Sequence, residues 1–293
     1  MSPKDLLIAA VVILAWGVNF VVIKLGLHGV PPMLLGALRF ALAALPAFFV
    51  KRPQIPLRWL FAYGLTISLG QFALLFYGMY VGMPAGLASL VLQAQAFFTL
   101  IFAAMFLGER IRAANVAGLV IAAAGLALIG MQGGHAMTIT GFLFTLAASA
   151  MWALGNVVTK AMGKVDLLSL VVWGSLIPPL PFLALSLIFE GPARIESSLA
   201  AIPLVSVFAI LYLAFVATLV GYSLWGKLLA RYPAGSVAPF SLLVPVIGLV
   251  SAAVALGEGL SAAEIAGAAL VMAGLVVNVF GARFVQRILP SAR

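Results

Sequence analysis

An all-α polytopic membrane protein with ten crossing helices is the fold class that this sequence predicts. Three observations carry it. Of 293 residues, 65% are hydrophobic and only 8% are charged, whereas a soluble domain carries roughly 25% charged residues and needs them to cover its surface. Apolar runs of about one bilayer's length recur along the whole chain. The basic residues collect in every second loop between those runs. A soluble enzyme of this length would need a far thicker polar shell.

A helix needs roughly 20 apolar residues to cross the hydrocarbon. The runs fall at 6–27, 33–50, 59–80, 86–106, 113–131, 139–161, 167–188, 202–225, 237–256 and 263–282. The first follows a short basic region ending at Lys4. It continues well beyond the roughly 7–15-residue core of a signal peptide, and no small-residue cleavage site closes it, so it reads as a span. Two cuts rest on punctuation: Met83-Pro84-Ala85-Gly86 and Arg231-Tyr232-Pro233-Ala234-Gly235 interrupt apolar stretches. Proline followed by glycine is a stop-and-restart signal. The runs are too long for barrel strands and do not alternate.

The basic residues test the count. With the N-terminus in the cytoplasm, Lys4, Lys51, Arg52, Arg58, Arg110, Arg112, Lys160, Lys164, Lys227, Arg231, Arg283, Arg287 and Arg293 share its side, 13 of the 16. Arg194 stands alone on the opposite side, and Lys24 and Arg39 lie within runs. One missed helix would invert every later loop. The split therefore predicts ten spans with both termini cytoplasmic.

Several function classes fall away. The net charge of +9 is dispersed, with no dense patch or aromatic-interleaved stripe, so the expected partner is the lipid bilayer and not nucleic acid. There is no cysteine, and two histidines and seven acids are scattered. No thiolate chemistry and no metal site are expected. No GxGxxG or Walker A sequence is present, so a nucleotide-driven pump is disfavoured unless a separate subunit supplies the ATPase; no cofactor and no enzymatic reaction are expected.

The chain also repeats itself. Trp16–Lys24 matches Trp152–Lys160 at an offset of 136. PAGLASLVLQ at 84–93 matches PAGSVAPFSL at 233–242, and LGER at 107–110 matches LGEG at 256–259, both at an offset of 149. Gly118 and Gly125 match Gly267 and Gly274 at the same offset. A repeat of five helices is odd, so its second copy must be inverted, which is a usual construction of secondary transporters. The predicted units are 1–132 and 137–290.

The stretches WGVNFVVIKLGLHGVPP, LRFALAALPAFF, YGLTISLGQFALLFYG, GMPAGLASLVLQAQAFFT and YLAFVATLVGYSLWGKLLARY resemble the bacterial EamA family of the drug/metabolite transporter superfamily. The resemblance covers essentially residues 1–290. It implies an EamA-like fold of two inverted five-helix repeats in the cell inner membrane. It also implies efflux of small zwitterionic metabolites, O-acetylserine and cysteine first among them. Other members of the family export other amino acids, nucleosides or drugs. The competing class is a non-transporting membrane interaction protein or a lipid scramblase.

Polar residues inside the runs are the candidate pathway. Asn19 and Asn156 are repeat mates whose amides need partners in hydrocarbon and so face protein or a water-filled cavity. Gln71 and Gln95 are also intramembrane, and Gln93 and Gln95, two apart, should not share one face. Trp16, Tyr77, Trp152 and Tyr222 add aromatic rings with one polar atom each, which suits a small amphipathic solute. Arg39 lies about 8 Å below the edge of its run, and the one acid inside a run, Glu264, is only the second residue of the tenth, so no deep acid is at hand to pair with it. It either takes the solute's carboxylate with its planar donor fork or serves a structural role. Lys24 and Lys160 are repeat mates expected at helix ends, where Lys24 either snorkels or marks with Lys160 equivalent gate positions on opposite sides. Glu109 and Glu258 should cap helices or pair in loops, and Pro239 and Pro245 should kink or open the ninth span. Span 4 has Leu90 and Ala96 at the matching positions, so the halves should differ mechanically. The glycine faces of spans 5 and 10 suit close packing within the chain, and the resemblance allows a homodimer contact there.

Overall fold

A computed structural model describes residues 1–132 and 137–288, with side chains as far as Gly281 except at residues 234, 235 and 238; residues 289–290 of the predicted second unit and Arg293 lie outside the described residues. Its long apolar helices are α1 (Pro3–Gly26), α2 (Pro32–Phe48), α3 (Leu57–Tyr80), α4 (Ala85–Leu107), α5 (Ala113–Gly130), α6 (Ile139–Met162), α7 (Leu167–Phe189), α8 (Leu204–Arg231), α9 (residues 234–256) and α10 (Ala262–Ile288). Among the described residues, nine are long and apolar enough to cross a membrane, and α2 is a shorter apolar helix. The short amphipathic helix Pro192–Ala200 precedes α8.

The boundaries follow local chemistry. Ser2 caps α1, its hydroxyl accepting from the amide of Asp5, and Thr138 and Asp166 do the same for α6 and α7. Pro84 and Pro203 stand immediately before α4 and α8, where a missing amide hydrogen costs nothing. The eighth helix runs six residues beyond the predicted end, to Arg231; in this added turn Leu228 is buried in a cluster with Ala9 of α1, and Arg231 donates to Asp5.

Two ends of the bundle are distinguished by their contacts. At the proximal end, Asp5 meets Arg231 and Tyr232, Lys160 meets Glu109, and Asn115 bonds Asn278. At the distal end, Lys24 bonds Met79, Glu258 bonds the start of α4, and Arg194 bonds Tyr80. The packed core lies toward the distal end, where Val30, Met33, Leu34, Leu35, Met79, Met83 and Leu87 are all buried.

The helices are not uniform, and their irregularities fall in register. A π-helical stretch occupies Gly64–Gly70 of α3 and Tyr212–Val220 of α8. A 3-10 turn occupies Leu92–Ala94 of α4 and Ala238–Leu242 of α9. Gly108 and Gly257 end α4 and α9 in the left-handed conformation, at φ 68° and 67°. The π-helical stretches and the glycines correspond at the 149-residue offset, and the 3-10 turns overlap at it. The expected contrast between a kinked ninth span and a regular fourth is therefore corrected. Both helices tighten at the same place, although only α9 has prolines there. Pro239 lies at the start of a 3-10 turn and Pro245 within the first turn of the following helical segment, positions where proline removes little hydrogen bonding.

The glycine faces of α5 and α10 pack on each other within one chain. A Cβ on Gly118 would come within 2.6 Å of the Gly274 carbonyl, and one on Gly125 within 2.6 Å of that of Gly267. These glycines thus serve packing within the chain.

Candidate functional site

Between the helices lies a cavity of about 360 Å³, at the lower end of the roughly 300–1,000 Å³ typical of small-molecule sites. Trp16 and Asn19 of α1, Arg39 of α2, Gln71 of α3, Gln95 of α4, Trp152 and Asn156 of α6 and Tyr222 of α8 all border it. Its lining extends to Thr159, Leu167 and Leu229, each within a turn of a proximal helix end. The buried distal residues named above close the other direction.

The π-helical stretch of α8 anchors two of these side chains. The indole of Trp16 donates to the Ala217 carbonyl at 3.0 Å and packs against Tyr222 and Trp225, ring centroids 5.2 and 5.4 Å away. The Arg39 guanidinium donates through Nη2 to the Thr218 hydroxyl at 3.0 Å. That hydroxyl in turn donates to the Leu213 carbonyl at 2.8 Å, five residues back. A π turn leaves carbonyls free for such bonds.

Arg39 is 2% exposed. Its guanidinium carbon lies 3.9 Å from the centroid of the Phe72 ring, and Phe40 and Phe76 are also near. Ring faces partly offset the desolvation of a cation, by up to about 2 kcal/mol. Nε and Nη1 have no hydrogen-bond partner. None of the seven acids of the chain borders the cavity, so the charge is uncompensated.

Two acceptors share this condition. Asn19 Oδ1 and Gln71 Oε1 are buried without partners. Among the described residues, these two oxygens and the two Arg39 nitrogens make up the buried side-chain polar atoms left unpaired. All belong to residues that border the one cavity. Buried polar atoms are normally paired, and leaving one bare costs about 1–3 kcal/mol. Asn156 differs from its mate Asn19, since its amide donates to Gln95 Oε1 at 2.8 Å and Thr99 Oγ at 3.1 Å.

Other predicted residues lie elsewhere. Tyr77 does not border the cavity; it packs against Phe144 and Tyr80 toward the distal end. Six residues beyond Gln71 is about 240° around a helix, which turns it toward α6. Gln93 and Gln95 both border the cavity, against expectation, because the 3-10 turn at Leu92–Ala94 changes the helical phase between them. Lys24 donates to the Met79 carbonyl at 3.1 Å instead of snorkelling. Glu109 pairs with Lys160 at 2.5 Å, and Glu258 caps α4. Sequence reasoning missed Thr218, and it missed Glu190, whose carboxylate accepts from the amides of Met33 and Leu34 at the start of α2. The Pro31-Pro32 pair before those amides was the available signal.

Comparison with known proteins agrees with this architecture. The model of the "EamA-like transporter family" matches the chain twice, over residues 4–131 and 139–280. A "Probable amino-acid metabolite efflux pump" of Salmonella typhimurium is 53% identical over 97% of both chains, and one of Escherichia coli is 50% identical over 97% of both. A "Probable terminal-alkyne amino-acid exporter" of Streptantibioticus cattleyicolor is 30% identical over 90% of both. A solved crystal structure matches 99% of this chain and 100% of its own with a TM-score of 0.64 at 22% identity, a likeness of fold. The two family matches together span nearly the whole chain, and the chain belongs to the EamA-like transporter family.

Proposed function

We propose that this protein exports small amino-acid metabolites across the bacterial inner membrane, with O-acetylserine and cysteine as its first candidate substrates. The observation that carries the reading is the set of four unpaired buried polar atoms on three residues that border one cavity. Two are donors of a fixed cation and two are carbonyl oxygens. An α-amino acid is complementary to that set. Its carboxylate takes Nε or Nη1 of Arg39 together with the second N–H of Nη2, whose other N–H holds Thr218, and its ammonium takes the oxygens of Asn19 and Gln71. The names of the two relatives at 53% and 50% identity support the same class.

The chain crosses the membrane ten times in this reading, as two inverted five-helix repeats with both termini cytoplasmic. The 13-to-one distribution of loop charge supports the orientation, and the paired irregularities at the 149-residue offset support the repeat. The proximal end is then cytoplasmic, and the cavity stands open to the compartment from which an exporter loads.

Sealed proteoliposomes with a panel of labelled amino acids, their metabolites and nucleosides test the proposal. Saturable flux of O-acetylserine or cysteine is the expected result. Saturable flux of nucleosides or drugs alone would remove the substrate class. Flux of lipid with no solute movement would favour a scramblase.

A further inference from the structure

Two contacts hold the distal end shut, and both fall on the hairpin that joins α3 to α4. Glu258, just past α9, accepts from the amides of Ala85 at 2.8 Å and Gly86 at 2.9 Å. Lys24, near the end of α1, donates to the Met79 carbonyl at 3.1 Å. The first amides of a helix and its last carbonyls lack intrahelical partners. A carboxylate on the former and an ammonium on the latter make charge-assisted bonds favoured by the helix dipoles. One anion and one cation thus clamp the two ends of a single hairpin.

The 149-residue offset carries Met79, Ala85 and Gly86 onto Leu228, Ala234 and Gly235, and Glu109 onto Glu258; the 136-residue offset carries Lys24 onto Lys160. The backbone around the glutamates agrees. Gly108 and Gly257 share the left-handed conformation, and the amides of Glu109 and Glu258 donate to Ala103 and Ala252 at 3.3 and 3.4 Å. At the proximal end, however, the two mates hold each other. Lys160 Nζ lies 2.5 Å from Glu109 Oε1, with the side chains 57% and 39% exposed.

We propose that Glu109 and Lys160 are a latch for the hairpin that joins α8 to α9. With the proximal end open they pair with one another. When it closes, Glu109 takes the amides of Ala234 and Gly235 and Lys160 takes the Leu228 carbonyl, as their mates hold the α3–α4 hairpin here. In the same stroke Glu258 and Lys24 release their hairpin and the distal end opens. An exposed ion pair contributes little, so the backbone contacts dominate the balance. The inference rests on the repeat reading and not on the substrate, and its failure leaves the flux result standing.

The chain has no native cysteine, so spin labels can be placed at Lys164→Cys and Lys227→Cys, both exposed positions at the proximal end. Their distance distribution in lipid nanodiscs reports the closed fraction as a short component. Glu258→Gln is expected to raise that component about fivefold. Glu109→Gln on the Glu258→Gln background is expected to cancel the rise, although it removes a pair present only in the open state. Glu109→Asp, a milder variant, should cancel it in part. A structural ion pair has the opposite signature, with Glu109→Gln raising the closed fraction further. That rise, an unchanged fraction, or one distance common to all variants would overturn the proposal.

Discussion

Residues 85–94 of α4 and 234–243 of α9 occupy the same place at the 149-residue offset, and both follow a proline and begin Ala-Gly. All ten residues of the first stretch are buried. In the second, Val237 is buried, residues 239–242 are half-buried, and Ser236 and Leu243 are exposed. Both stretches tighten into a 3-10 turn, so the difference does not arise from helix type. It arises from packing. The α4 stretch is held by Glu258 and crossed closely by α9, where a Cβ on Gly248 would lie 2.3 Å from Ser89 Oγ. One sequence pattern therefore serves a sealed end and an open one. The side chains that select between them lie outside the pattern, at helix junctions.

The largest expected effect comes from breaking what the two ends share. The α5–α10 contact is backbone to backbone, and Gly118→Val has no flexible neighbour to displace. Overpacking there should cost about 3 kcal/mol or more and lower the thermal midpoint in detergent by several degrees. A midpoint equal to wild type would mean that the two helices separate freely. Gly248→Val acts at one end only. It should cost about 1–3 kcal/mol and loosen the distal seal, read as new labelling of a cysteine placed at Leu87 by a reagent applied from the distal side. Unchanged protection of that cysteine would count against the crossing as a seal.

The asparagine mates sharpen the comparison further. Asn156 is bonded to α4 and Asn19 Oδ1 to nothing. Asn156→Ala should therefore lower stability by about 1 kcal/mol. Asn19→Ala should leave the thermal midpoint unchanged and weaken solute binding about fivefold. Equal behaviour of the two variants in both assays would erase the distinction between helix bonding and solute recognition. The smallest effect is that of Trp16→Phe, which removes one hydrogen bond to Ala217 and should cost about 1 kcal/mol or less.

Depth along each helix was legible in the sequence; direction around it was not. Asn19, Arg39, Gln71 and Asn156 stood out because polar atoms in hydrocarbon need a reason, and each borders the cavity. Tyr77 stood out equally and points elsewhere, since a run of apolar residues offers no periodicity from which to read its facing side. The π-helical stretches of α3 and α8 compound this, because each wider turn rotates every later side chain. No composition signal marks them. Thr218 was invisible for that reason, as its role follows from a carbonyl five residues back. The caps by Glu190 and Glu258 were hidden for another reason, since they join positions 157 and 173 residues apart in sequence.

The account rests on Arg39 as the seat of the carboxylate, and a matched pair of solutes tests it most directly. Binding of a small amino acid and of its neutral amide is measured to the wild type and to Arg39→Gln, in protein shown to be folded and inserted. A charged hydrogen bond contributes about 1.5–3 kcal/mol. The amino acid should accordingly lose at least tenfold in affinity on substitution, while the amide changes by less than about threefold. Equal losses for both solutes, or wild-type affinity for the amino acid, would contradict the assignment and leave Arg39 a structural tie between α2 and α8.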